Sequence, residues 1–328
     1  MSLRSLLGAA ALVLIAMPNG SSGTARAEEI VVANYGVTAN GFPFAVAMGM
    51  GFFKAEGADI TSAGGGTTLR NMMAGGVAYA EVNPGLVVSA IHQGAELKII
   101  AENVRTNAET TWGVKPNSPL MTVKDLKGRK LGYSNPRSTS QALVSLLLKH
   151  AGYTPNDAEL VRTGGFGEGI AALEIGAVDM TPFPEPLWAI HKHKYRALAT
   201  VNEVLPPLTN TIAATIISQG KTKAEFIKAV IRSRRKAVEF MNSNPDEAAE
   251  PIAKAFNIEL AVARSAVRNL VENKTGGVPY WGSGQIHMDS LHRMIEVQKS
   301  LGTVTKDVDY DQIIDTSFLA ADIQAIVK

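Results

Sequence analysis

Four residues of this chain recur at one fixed offset. Gly64, Gly65, Gly76 and Pro84 return as Gly164, Gly165, Gly176 and Pro184, each 100 residues later. In both copies the pattern predicts a strand ending in a glycine-rich turn and then a short helix. That helix is apolar at Leu69, Met72 and Met73 in one copy, and at Ile170 and Leu173 in the other. A glycine then stops it, and a second strand runs to a proline loop, AYAEVNP or AVDMTPFPEP. Glycine turns also punctuate ordinary α/β chains, so the echo alone is compatible with chance. Its functional reading is two similar lobes, each presenting a glycine turn and a proline loop to a shared cleft.

The length of 328 residues suits this reading, since compact domains run to about 150 residues each. Hydrophobic residues make up 46% and charged residues 19%, which excludes a chain too polar to build a core. The absence of cysteine excludes thiolate metal sites, cysteine nucleophiles, disulfides and a lipid-anchored cysteine. The net charge is +2, and both surplus cations, Arg4 and Arg26, lie in the leader described next. The remaining chain is neutral, a poor match to nucleic acid or to an anionic membrane surface.

Residues 1–27 are organised as an export signal. Arg4 supplies a positive start, Leu6 to Met17 an apolar run of 12 residues, and Ala25-Arg26-Ala27 a cleavage site. The run is shorter than the about 20 residues that span a bilayer as a helix. Cleavage after Ala27 and a location in a Gram-negative periplasm are expected.

Beyond the leader, strand and helix patterns alternate. Strands are expected at Ile30–Ala33, Leu97–Ala101 and Lys130–Ser134, with a helical stretch running to Lys54. Ser138 to His150 reads as a helix, with Leu143, Leu146 and Leu147 on one face and Ser138-x-x-Gln141 as a capping box. From about residue 221 the pattern is mostly helical. Thr222-x-x-Glu225 offers a second capping box, Pro245 opens another helix, and further runs cover about 257–272 and 284–300. Alternation of this kind predicts parallel sheets covered by helices, with ligands bound beyond the carboxyl ends of the strands.

Motifs of catalysis are wanting: there is no H-E-x-x-H and no G-x-S-x-G, and Gly220-Lys221-Thr222 lacks the upstream glycine of a phosphate loop. His191 and His193 have no third ligand nearby, so no metal is expected. The glycine and serine turns have a positive reading. Gly64 to Thr68, Asn135 to Thr139 and Gly164 to Gly167 each lead into a helix, where free N–H groups and the helix dipole favour an anion. Arg137 is placed to add a bidentate contact to a carboxylate or sulfonate, although a plain surface arginine fits the position too. Tyr35, Phe42, Phe166, Phe183 and Trp281 are candidates for an apolar pocket wall, or for ordinary core.

Taken together, Gly51-Phe52-Phe53-Lys54-Ala55-Glu56-Gly57, Gly64-Gly65-Gly66, Asp125-Leu126-Lys127-Gly128-Arg129-Lys130, Gly176-Ala177-Val178-Asp179 and Glu185-Pro186 resemble the substrate-binding proteins of ABC importers of the nitrate/sulfonate/taurine type. That group includes binders of a thiamine pyrimidine precursor. The resemblance implies an α/β fold of the type II periplasmic binding class, with two lobes, two hinge crossings and a ligand cleft between them. By that analogy residues 28–110 and 211–328 form one lobe, 111–210 the other, and the crossings fall near 108–114 and 205–213. The implied ligand-facing positions are Tyr35 to Phe42 including Asn40, then Gly66, Thr67, Thr68, Asn83, Asn135, Arg137, Ser138, Thr139, Phe166, Gly167 and Glu185. The implied partners are a small-molecule ligand and an ABC permease with its ATPase. The protein is expected to be a monomer, with no cofactor, no catalytic residue and no insertion into the membrane. The related pyrimidine-synthesising enzymes depend on a cysteine-rich motif, which this chain lacks.

A sulfonate, a carboxylate or a taurine-like zwitterion fits these positions, with Glu185 pairing the amine of the last. An uncharged heteroaromatic ring stacked on Tyr35, Phe42 or Trp281, with Asn83 and Asn135 at its edge, is the alternative ligand. An exported enzyme using Glu185 as general base, and a receptor that signals to a sensor kinase, are the alternatives of other classes.

Overall fold

The computed structural model describes residues 28–64, 68–74 and 76–328. The expected leader and its cleavage point at Ala27 lie outside these residues, as do Gly66 and Thr67. The first four strands are β1 (Glu28–Val32), β2 (Ile60–Gly64), β3 (Ala80–Val82) and β4 (Leu97–Val104). The chain then passes through residues 105–109 into a second region holding β5 (Thr110–Val114), β6 (Lys130–Tyr133), β7 (Glu159–Arg162), β8 (Thr181–Pro184) and β9 (Arg196–Thr200). It returns through 205–210 for β10 (Thr211–Ile216) and β11 (Trp281–Gly284).

The first sheet has the order β11-β4-β10-β3-β1-β2, with β10 inserted antiparallel between β3 and β4. Ile30, Val31 and Val32 of β1 are all buried, as expected of a parallel strand covered on both faces. In the second region β8, β5 and β9 form an antiparallel sheet, while β6 pairs in parallel with β7.

The sequence echo has a counterpart in this topology. β2 and β3 both pair in parallel with β1. β7 likewise pairs with β6, and β8 touches β6 from the other side through a parallel bridge, Leu131 to Met180. Each copy is thus two strands flanking one central strand, joined by a helix: Thr68–Met73 in one, Phe166–Glu174 in the other. The copies diverge at the proline, because Pro84 opens the helix Pro84–His92 whereas Pro184 ends β8 opposite Thr110.

Helices Ala224–Ser243, Pro245–Phe256, Leu260–Glu272 and Met288–Ser300 coat the first sheet. Two local expectations fail. The helical stretch expected up to Lys54 breaks at Gly51, whose φ of +72° suits glycine, leaving Phe42–Gly49 and Phe52–Ala55. The Thr222-x-x-Glu225 box does not form, because Thr222 closes the helix Ile217–Thr222 and donates its hydroxyl to the Ser218 carbonyl four residues back, at 3.1 Å.

No described helix is long and apolar enough to cross a membrane. Two apolar clusters lie around the first sheet, a third joins Trp112, Leu143 and Leu147 and takes in Met294 of the helix Met288–Ser300, and a fourth surrounds Phe183. Phe183, a candidate pocket residue by sequence, is core. Its ring packs so closely over Gly113 that a Cβ there would sit 2.4 Å from it.

Candidate functional site

A cavity of about 750 Å³ lies between the two regions. It opens beyond the carboxyl ends of β1, β3, β6 and β7, where Asn34, Val82, Ser134 and Arg162 line it. This is the edge at which open α/β sheets bind ligands. The two chain crossings close its floor with Glu109, Thr110, Asn210 and Thr211.

The turn after β6 shapes one wall. Ser138 caps the helix Thr139–His150 by accepting from the Gln141 N–H at 3.2 Å. The return contact of the expected box is shifted by one residue, since the Gln141 side chain accepts from the N–H of Arg137 at 2.7 Å. That bond holds Arg137 at a φ of +65°, a conformation rare outside glycine. Behind the turn the hydroxyls of Ser134, Ser138 and Ser140 lie within 2.8 to 3.3 Å of one another. Asn135 anchors it laterally by donating to the Gly164 carbonyl at 2.9 Å.

The opposite wall is built on Asn83. Its side-chain oxygen accepts from the Gly85 N–H at 2.8 Å, capping Pro84–His92, and its amide donates across the cleft to the Thr139 hydroxyl at 2.8 Å. Three arginines line the cavity: Arg70 from the helix after β2, Arg137 from the turn and Arg162 from the end of β7. All three are exposed, and among the described residues none has a carboxylate within ion-pair distance.

The floor is different in kind. Glu109 is buried, with Oε1 accepting from the Asn210 amide at 2.9 Å and Oε2 without a hydrogen-bond partner. Burial pushes its carboxyl up to about 8, so it is protonated near neutrality. The hydroxyl of Thr38, also buried and lining the cavity, has no partner either. Unpaired buried polar groups are uncommon and costly, and two of them belong to residues that line this cavity, with neither atom itself open to it.

Of the positions singled out by sequence, Asn40, Asn83, Asn135, Arg137, Ser138, Thr139 and Phe166 line this cavity. Phe166 also borders an adjoining recess of about 430 Å³, together with Gly167, Val37, Leu187, Ile190 and Ile258. Thr68 begins its helix beside the cleft, while Gly66 and Thr67 lie outside the described residues.

Four others do not line the cavity. Phe42 and Trp281 are core, with Phe42 edge-on to Phe256 at 5.0 Å and the Trp281 indole donating to the Ala39 carbonyl at 3.0 Å. Tyr35 packs on Phe256 from the other side, at 5.6 Å. These rings support the loop 34–41 from beneath, which places Asn40 in the cleft, where Tyr280 hydrogen-bonds its oxygen. Glu185 is buried and committed: Oε1 accepts from the Asn269 amide at 2.9 Å and Oε2 from the Ala189 N–H at 3.1 Å. Burial raises this carboxyl to about 7. Its backbone joins the regions, donating to the Glu109 carbonyl and accepting from the Ala39 N–H, both at 2.8 Å.

The sequence reading missed Arg70, Arg162 and Glu109. Arg162 carried a usable signal, as the last residue of a strand directly before a glycine turn. Among the described residues no group of three or more His, Cys, Asp or Glu is placed to hold a metal ion.

No curated protein matches this chain. Solved structures are similar to it in fold. The periplasmic aliphatic sulphonate binding protein SsuA from Escherichia coli superposes with a TM-score of 0.72 at 18% identity, covering 88% of this chain and 91% of that one. The periplasmic nitrate-binding protein NrtA from Synechocystis PCC 6803 gives 0.71 at 12% identity, covering 89% and 86%. The desulfurization enzyme DSZB gives 0.62 at 13% identity, covering 89% and 97%. The architecture is therefore the two-lobed periplasmic binding protein fold, with the cavity lying between the lobes. The model of the NMT1/THI5-like family matches residues 38–248, a span that takes in β3, β6 and β7 of the cleft, and the chain belongs to that family.

Proposed function

We propose that this protein is the solute-capturing component of an ABC importer, exported to the periplasm after cleavage at Ala27 and acting as a monomer that hands its solute to the permease and its ATPase. The observation that carries the reading is a cleft between two lobes lined by three arginines that have no carboxylate partner among the described residues, in a fold shared with a sulphonate-binding and a nitrate-binding protein. The lobes comprise residues 28–110 with 211–328, and residues 111–210. The solute is a small organic anion, sulfonate or carboxylate. Arg137 and the start of the helix Thr139–His150 meet its acid group, with Asn40, Asn83, Asn135, Ser138 and Phe166 around it.

Capture follows from geometry. Residues facing the cavity come from both lobes, so a solute touching both favours the closed arrangement over the open one, a shift of population between two states. Micromolar affinity corresponds to about 8 kcal/mol. Hydrogen bonds to charged groups contribute roughly 1.5–3 kcal/mol each, so a few of them with one ring face on Phe166 suffice. An uncharged heteroaromatic solute is less well served, because Phe42 and Trp281 are occupied in the core.

Native mass spectrometry of freshly purified protein tests this reading. A retained small acid, recovered chemically unchanged after denaturation, is expected. A solute that the protein converts would place it among the enzymes of this fold.

A further inference from the structure

The balance of charge in the cleft narrows the solute further, on the footing that the proposed capture role is right. Arg70, Arg137 and Arg162 converge on one cavity without carboxylate partners among the described residues. Among the described residues one carboxyl lines the same cavity, that of Glu109. It is buried and accepts a hydrogen bond from Asn210, and its unpartnered oxygen, like the Thr38 hydroxyl, is closed off from the cavity. The cationic rim and the neutral floor therefore ask for different things. A single acid group cannot neutralise three arginines, and any additional positive charge on the solute would be repelled by those left over. The floor, by contrast, presents no exposed charge to the solute.

We infer that the solute is an acid with at least two negative groups distributed over Arg70, Arg137 and Arg162, and that zwitterions are rejected. The cavity volume agrees. About 750 Å³ lies well within the range of sites for drug-sized ligands and is roomy for an ion of a few atoms. Glu185, the residue expected from sequence to pair an amine, is outside the cavity and already holds Asn269 and the Ala189 N–H.

Three solutes on one two-carbon skeleton test this by calorimetry: ethane-1,2-disulfonate, 2-hydroxyethanesulfonate and taurine. They differ at one end only, as anion, hydroxyl or ammonium. The expected order is disulfonate at least tenfold tighter than the hydroxy compound, with taurine weakest. Arg70→Ala and Arg162→Ala should each reduce the disulfonate preference several-fold, with circular dichroism confirming that both variants fold. Taurine binding as tightly as the disulfonate, or a preference that neither variant changes, overturns the inference. If none of the three binds, the solute retained by purified protein decides. A multiply charged acid supports the inference, whereas a singly charged or neutral one overturns it and leaves the capture role standing. An empty protein that binds none of them removes both.

Discussion

Asn83 and Thr139, 56 residues apart in sequence, meet across the cleft, the asparagine amide donating to the threonine hydroxyl at 2.8 Å. The same asparagine caps its own helix with its other atom, so closure and local stability share one side chain. Thr139→Val keeps the shape and removes the acceptor. It should lower stability by about 1 kcal/mol or less and enlarge the ligand-free protein in small-angle scattering, as the open state gains population. Asn83→Ala should open the cleft likewise and also cost the cap, about 1 kcal/mol more in chemical denaturation. A scattering profile unaltered in both variants would deny this bond any part in closure.

Arg137 is held at positive φ by a side chain that makes no contact with the cavity, Gln141. The left-handed conformation costs a non-glycine residue roughly 1–2 kcal/mol, so the turn needs an acceptor to stay in place. Gln141→Ala should therefore weaken binding of ethane-1,2-disulfonate several-fold while the helix content in circular dichroism stays the same. Arg137→Ala should weaken it further, by ten- to a hundredfold, as expected for the loss of a charge-assisted contact of about 1.5–3 kcal/mol. Equal affinity in wild type and Gln141→Ala would show that the arginine finds its position without help.

Burial raises Glu109 to about 8 and Glu185 to about 7, both from an ordinary value of 4.5. Glu185 itself adds to the rise at Glu109, and Lys192 pulls Glu185 slightly the other way. The native protein thus holds protons that the unfolded chain releases above about pH 4.5. Stability from these groups is complete below that pH and is lost as pH climbs through 7 and 8. Urea midpoints should decline from about pH 5 to about pH 8.5, and Glu109→Gln should flatten the upper part of the decline. Midpoints that rise over this range would contradict protonated carboxyls at Glu109 and Glu185.

The regular parts of this fold were legible because their signals are local. Ser138 as a cap, the leucines that follow it and the glycine-turn units all announce themselves within a dozen residues. The ends of the two crossings were not, since Glu109 becomes a floor residue only when Asn210, 101 residues later, folds back against it. Phe42 and Trp281 illustrate the same limit. An aromatic residue near a loop has no sequence mark that separates a ring facing a ligand from one propping the loop from below. Thr222 shows a third kind of failure, where a correct capping motif lost to a carbonyl one turn back in a helix that already contained it.

The insertion of β10 between β3 and β4 bears on how the molecule can be made. As the chain emerges from its amino end, β1, β2 and β3 can assemble early, but β4 has no neighbour in that group and must wait for residues 211–216. By then the whole of the segment carrying β5 to β9 has been produced and is free to condense on its own contacts. Truncation anywhere before residue 216 leaves the larger sheet split down its middle, so the order of synthesis favours completion of the inserted half before the half that surrounds it.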